Sequence, residues 1–320
     1  MHNMKAIFRL IRWHNLLFAA LVVWLMEKMV AAPLLDRALF GEQLPWYVLY
    51  LLMLAVVMIA AGGYAINDYF DVKIDNINRP ERLIVTRDLS KHQAMLVHQV
   101  MTLIGVGSGL VVAWLTRSWS LLLVFLFVPG LLWFYSSSYK RQFVVGNLIV
   151  SFSVALVPLT VAMANAGFLR HRFGELMQFS SVGKEIYMWI GGFAVFAFLT
   201  TLIREILKDL QDQTGDRELE CHTLPILLGT MWTKVVITVL ILLTAAVACY
   251  AVFGLMPFDV SSWTTPVVRY LIFGLLVPFA CEFWLLWSAK IASDYRFAQG
   301  LLKFIMFVGV LSSVLIRFLF

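Results

Sequence analysis

Charge is scarce in this 320-residue chain. Only 14% of its residues are Asp, Glu, Lys or Arg, against roughly 25% in soluble domains, and 61% are hydrophobic where about 45–50% is usual. With a mean hydropathy of +0.85, that poverty of charge excludes a soluble globular domain and a disordered chain alike. Cysteine is nearly absent too. Cys221, Cys249 and Cys281 share no C-x-x-C spacing, which excludes a zinc site, a disulfide framework and thiol redox chemistry. The chain also lacks G-x-S-x-G, a phosphate-binding G-x-x-x-x-G-K loop and H-E-x-x-H. Among its histidines, His92, His98, His171 and His222 have no ligand spacing, and His14 beside Asn15 reads as interfacial. The net charge of +6 comes from basic residues that flank apolar segments, so the expected partner is a membrane surface and not nucleic acid.

What the chain has in abundance is long apolar runs. A helix needs about 20 mostly apolar residues to cross the hydrocarbon core. Nine such runs are expected, over Trp13–Leu35, Trp46–Ile66, Met95–Leu115, Leu121–Ser138, Val144–Ala166, Tyr187–Leu202, Val235–Leu255, Val267–Ala289 and Leu301–Phe320. The first is interrupted by Glu27 and Lys28, and it is too long for the core of a signal peptide. The expectation is an all-α polytopic membrane protein, a bundle of nine transmembrane helices around a central cavity, forming a single domain over residues 1–320. Seventeen of the 25 Lys and Arg residues fall at the N-terminus and in the even-numbered loops. That bias places those segments on the cytoplasmic face of an inner or cytoplasmic membrane.

The few acids are concentrated. Eleven of nineteen carboxylates lie within Asp68–Asp88 and Glu205–Glu220, each stretch following a span on the expected cytoplasmic side. If helix continues to Asp75, then Asn67, Asp71 and Asp75, spaced by four, share one face, with Asp68 beside them. Glu205, Asp209, Asp212 and Asp216 form a second stripe. The ordinary alternative is a solvated helix end whose acids pair with neighbouring Lys and Arg. Two carboxylates about 6 Å apart repel by roughly 2–3 kcal/mol at an effective dielectric near 20, and folding alone gives no reason to repeat that cost. Carboxylate and amide oxygens suit hard cations, magnesium especially, which prefers a few protein oxygens plus substrate phosphate oxygens. The candidate metal ligands are therefore Asn67, Asp71, Asp75, Asp209, Asp212 and Asp216.

A diphosphate held by magnesium also needs donors. Arg82, Lys140, Arg141, Arg204 and Lys208 flank the same entrance, Tyr135 lies just before Lys140, and Asn15 lies at the first span. The ordinary reading of Lys140 and Arg141 is a positive-inside anchor, with the nearby tyrosines an interfacial belt. Glu282, isolated in the eighth run, faces either a cavity or the bundle interior.

The pattern Asn67-Asp68-x-x-Asp71-x-x-x-Asp75 with Asp212-x-x-x-Asp216, each after an apolar span, resembles the two aspartate-rich motifs of the UbiA superfamily of intramembrane prenyltransferases. Arg12-Trp13-His14-Asn15, Asn78-Arg79-Pro80-Glu81-Arg82, Tyr135-Ser136, Lys140-Arg141 and Gly146-Asn147 extend the likeness along the chain. Arg204-Glu205-Ile206-Leu207-Lys208-Asp209, Gly215-Asp216 and Thr223-Leu224-Pro225 are most similar to the geranylgeranylglycerol-phosphate geranylgeranyltransferase branch. Leu83 and Arg87 depart from that branch's usual proline and glycine.

The resemblance implies magnesium-dependent transfer of a polyprenyl group from its diphosphate to a lipid-pathway acceptor, with membrane lipids around the site. Asp68, Asp71 and Asp75 are the candidates for catalysis, with Asp68 or Asp75 taking the acceptor's proton. An aromatic quinone precursor is the alternative acceptor. A divalent-cation transporter and a non-catalytic lipid- or cofactor-binding scaffold are the alternatives of other classes. Against a transporter, the acids sit at helix ends and not at mid-span.

Overall fold

The computed structural model describes residues 2–41, 43–78, 80–255 and 265–318; the side chains of residues 2, 3, 82, 175, 176 and 178 lie outside that description. Among the described residues nine helices are long and apolar enough to cross a membrane. A short amphipathic helix, α1 (His2–Leu10), precedes them. The spans are α2 (Trp13–Arg37), α3 (Trp46–Phe70), α5 (Lys91–Thr116), α6 (Trp119–Ser137), α7 (Val145–Phe173), α8 (Val182–Glu218), α9 (Leu224–Leu255), α10 (Pro266–Ser288) and α11 (Ala292–Arg317). Between α3 and α5 lies α4 (Val72–Asn78). The all-α membrane architecture expected from composition is present.

Several spans run past their apolar cores. The second and sixth, expected to end at Ile66 and Leu202, continue as helix to Phe70 and Glu218. The ninth, expected from Leu301, begins at Ala292, and its expected last residues, 319 and 320, lie outside the described part. The physical reason is that helix persists into the interface wherever water or a side chain satisfies the terminal backbone groups, whereas a hydropathy count stops at the first charge. Span α9 begins eleven residues before the expected Val235, but Gly229 (φ 79°) breaks its helical course. Spans α2 and α10 each contain a π-helical stretch, Met26–Ala31 and Tyr270–Leu276.

The chain packs as two compact units. The first comprises Met1–Lys140 and Leu156–Gly191. Its most extensive helix pair is α3 with α5, where Gly105 allows backbone contact: a Cβ there would stand 2.8 Å from the Ile59 nitrogen and 3.1 Å from the Ala55 oxygen. Span α5 starts at a reciprocal cap, with the Ser90 hydroxyl accepting from the Gln93 N–H and the Gln93 side chain accepting from the Ser90 N–H. A small apolar cluster of Ala6, Leu10, Ala65, Ile84, Val85, Leu89 and Ala94 fastens α1 and the loop after α4 to the end of α3 and the start of α5.

The second unit comprises Arg141–Ala155 and Gly192–Leu319. Its core joins α8, α9, α10 and α11 through Ile203, Ile206, Leu207, Ile237, Ile241, Leu275, Phe279, Leu302 and Ile305. Buried Lys234 donates to the Ala289 carbonyl at 2.7 Å, tying α9 to the α10–α11 turn.

Candidate active site

In the first unit, the hydrogen-bond ladder decides whether Asn67, Asp71 and Asp75 share a face. Helix α3 ends at Phe70 and Asp71 is its cap, yet the Asp71 N–H donates to the Asn67 carbonyl at 3.0 Å and the Asp75 N–H to the Asp71 carbonyl at 2.9 Å. The i to i+4 relation therefore survives the join into α4. Asn67 and Asp71 are buried, at 8% and 6% exposure, and Asn67 Nδ2 donates to Asp71 Oδ2 at 2.7 Å. Lys140 Nζ ion-pairs with the same Asp71 oxygen and stands 3.5 Å from Asn67 Oδ1. Burial alone would lower the Lys140 pKa, but Asp71, Tyr135 and Asp75 more than offset it, and the ammonium is held well above the ordinary lysine value. Tyr135 is buried.

Asp68 has a different partner. Arg12 Nη2 donates to Asp68 Oδ1 at 2.8 Å, and its guanidinium lies 4.8 Å from the centre of the Tyr64 ring. Asn15 Nδ2 donates to the Tyr64 hydroxyl at 3.2 Å, so Asn15 supports this pair. Desolvation works to lower the Arg12 pKa, and Asp68, Tyr64 and Asp71 together raise it by more. Arg12 and Tyr64 were not expected as site residues. Arg12 sits within the quoted Arg-Trp-His-Asn segment, which was the available signal, while nothing in the sequence marks Tyr64. The Arg82 backbone closes the turn Pro80–Arg82, and its side chain lies outside the described part.

In the second unit, Glu205, Asp209, Asp212 and Asp216 lie on the uninterrupted helix α8, as their spacing requires. Arg204 Nη2 pairs with Glu205 Oε1 at 2.6 Å, and Arg204 Nε is buried with no hydrogen-bond partner among the described residues. Asn147, near the start of α7, donates to Asp209 Oδ2 at 2.8 Å. Val144 takes a left-handed φ of 58° just before α7. The Thr223 hydroxyl donates to Asp216 Oδ2 at 3.1 Å, and the Arg141 carbonyl accepts from the His222 N–H at 2.9 Å. Lys208, adjacent to Asp209 in sequence, is half-buried. Asn147 and Thr223 were quoted as part of the family resemblance but not as site residues. Glu282 of α10 is fully buried, with no hydrogen-bond partner for either carboxylate oxygen among the described residues.

The donor set fits a hard cation. Among the described residues no three His, Cys, Asp or Glu side chains converge into a closed metal cage. Each unit instead presents carboxylate and amide oxygens near a basic side chain, which suits magnesium, an ion that keeps water and phosphate oxygens in its shell.

Spanning helices with an oxygen-rich, partly buried cluster at the end of one helix in each unit define a polytopic membrane protein built for cation and phosphate chemistry. The sequence profile of the UbiA prenyltransferase family matches residues 38–310, and the chain belongs to that family, a membrane prenyltransferase by class. The digeranylgeranylglyceryl phosphate synthase of Ignicoccus hospitalis is 33% identical over 71% of this chain and 65% of its own length. The synthase of the same name from Thermococcus kodakarensis is 32% identical over 70% of this chain and 69% of its own length. The chain thus spans about two thirds of the length of these relatives. A solved structure described as giving insight into digeranylgeranylglyceryl phosphate synthase in membranes shares the fold, with a TM-score of 0.67 at 20% identity over 99% of both chains. A UbiA homologue from Archaeoglobus fulgidus bound to DMAPP and Mg2+ aligns with a TM-score of 0.54 at 16% identity, covering 96% of this chain and 98% of that one.

Proposed function

We propose that this chain, acting as one domain, transfers a polyprenyl group from a polyprenyl diphosphate to geranylgeranylglyceryl phosphate in a magnesium-dependent reaction. The Asn67–Asp71–Lys140 group carries the reading, because it places buried cation-binding oxygens and a phosphate-binding ammonium together at the end of a spanning helix. Relatives named for this synthesis support the acceptor. Asn67, Asp71 and Asp75 would hold magnesium in the first unit, and Asp209, Asp212 and Asp216 in the second. Bound magnesium supplies neutralisation of the diphosphate leaving group, which lowers the barrier to cleavage of the allylic C1–O bond. Lys140 and Arg204 donate hydrogen bonds to phosphate oxygens, with Arg204 Nε already desolvated for the purpose. The apolar spans exclude water, which would otherwise capture the prenyl group. Asp68, held by Arg12, is oriented as an acceptor for the substrate's proton. The even number of spans between the two acidic stretches and the Lys and Arg bias support a cytoplasmic placement for both.

The test is direct. Purified protein in detergent is incubated with geranylgeranyl diphosphate and either geranylgeranylglyceryl phosphate or a hydroxybenzoate, with magnesium or with EDTA. The expected result is a diether product from the first acceptor, abolished by EDTA and restored by magnesium. Transfer to the aromatic acceptor alone would replace the acceptor, and full activity in EDTA would remove the metal.

A further inference from the structure

The first cluster already contains a cation. Lys140 Nζ sits against Asp71 Oδ2, the oxygen that also accepts from Asn67 Nδ2, and reaches toward Asn67 Oδ1 at 3.5 Å. The two charged side chains are 20% and 9% exposed, so water screens their attraction only partly. An ammonium donates to the same lone pairs that a divalent cation must coordinate, and one oxygen lobe cannot serve both. The second unit is built differently: Asp209 takes its hydrogen bond from the neutral amide of Asn147.

We propose that Lys140 is a resident competitor for the first magnesium site. Its ammonium fills the cation position between Asn67 and Asp71, and a divalent cation enters only by displacing it. The flexible four-carbon stem then lets the freed ammonium turn to the diphosphate. The inference rests on reading the first cluster as a metal site and adds what that reading lacks: cation and diphosphate strengthen each other's binding there, because each favours the displaced lysine. Such coupling is reciprocal by linkage. The first site stays weak toward a bare cation and becomes strong when the diphosphate arrives.

The experiment measures Mn2+ binding by electron paramagnetic resonance in detergent, without substrate, so that activity plays no part. A background of Asp209→Asn with Asp212→Asn silences the second cluster. There, Lys140→Met, which keeps the length but removes the charge, is expected to tighten Mn2+ binding about fivefold or more, the range of a typical coupling. Lys140→Gln provides a second neutral side chain should the methionine variant fail to fold, and Lys140→Arg, which keeps the charge, is expected to leave binding weak. Adding Asp71→Asn should weaken binding in every variant. If Asp71-dependent binding is present and the neutral variants bind no tighter than Lys140, the competitor role is overturned while the metal site stands. If no binding depends on Asp71, the metal site itself falls, and the inference with it.

Discussion

Asp68 and Asp71 lie one helical turn apart and yet meet different cations, Arg12 for the first and Lys140 for the second. The four-residue spacing of Asn67, Asp71 and Asp75 is legible in the sequence because a helix has one geometry. Which acid is pinned by which base is not, since Arg12 arrives from 56 positions away and Lys140 from 69. Asp71→Asn and Asp212→Asn each keep the size and one oxygen ligand while removing a charge. Each is expected to lower kcat for prenyl transfer by orders of magnitude, Asp212→Asn with an unchanged thermal melt and Asp71→Asn with a lower one, because it leaves the poorly exposed Lys140 ammonium without its carboxylate; near-normal turnover at limiting magnesium would return both stripes to the status of solvated helix ends. The Arg12 pair makes a separate, pH-dependent prediction. Its folded pKa is raised above the ordinary arginine value, so its contribution is complete below that value and is lost only as pH rises through the still higher folded value. Arg12→Met should therefore lower the melting temperature equally at about pH 6 and about pH 9, both far below that window. A loss that shrank toward pH 9 would mean that Arg12 sheds its proton far below the ordinary arginine range and that the Asp68 pairing does not hold its charge.

Helix boundaries proved less legible than helix existence. Span α8 runs sixteen residues beyond its expected end because Asp209, Asp212 and Asp216 are accommodated on helix, and hydropathy has no means of reading that. The π-helical stretch Met26–Ala31 was also invisible, although Glu27 inside it was noticed as an interruption. In the structure Glu27 is fully buried and accepts from Asn165 Nδ2 at 2.6 Å, a contact across 138 positions. Asn165→Leu removes the donor and leaves a buried carboxyl group, which should cost about 1–3 kcal/mol. Glu27→Gln should be far milder in the same detergent melt, since it keeps an acceptor for Asn165 in a shape of equal size. Packing between α3 and α5 gives a second comparison at this scale. Gly105→Ala drives a Cβ into the backbone of Ile59 and Ala55 and should destabilise, whereas Gly107→Ala meets nothing within 4 Å and should stay within about 1 kcal/mol of the parent. Equal melting temperatures for the two variants would show that the helices part easily.

At the scale of the whole chain, the membrane class was readable because composition alone leaves lipid as the main solvent, whereas the division into two units was not. Helices α7 and α8 each pass from one unit to the other, at Ala155–Leu156 and Gly191–Gly192, so no loop or charge run marks those two boundaries, and only the third, Lys140–Arg141, falls between two spans. Sidedness was argued from charge: seventeen basic residues against eight assign the N-terminus and both acidic stretches to the cytoplasm. Cysteine labelling reads this directly, after Cys221, Cys249 and Cys281 are replaced by serine or alanine. Single cysteines are then placed at Asn76 and Arg217, exposed positions beside Asp75 and Asp216, and at exposed Arg170 as the opposite-face control. A maleimide that cannot cross the membrane is expected to label positions 76 and 217 only in inside-out vesicles and position 170 only in right-side-out vesicles. All three reversed would invert the orientation and leave the chemistry intact, because both clusters would still meet the same solution. Positions 76 and 217 reacting from opposite faces is the outcome that matters most: a diphosphate is far too polar to be shared across the hydrocarbon core, and two clusters so divided could not act on one substrate.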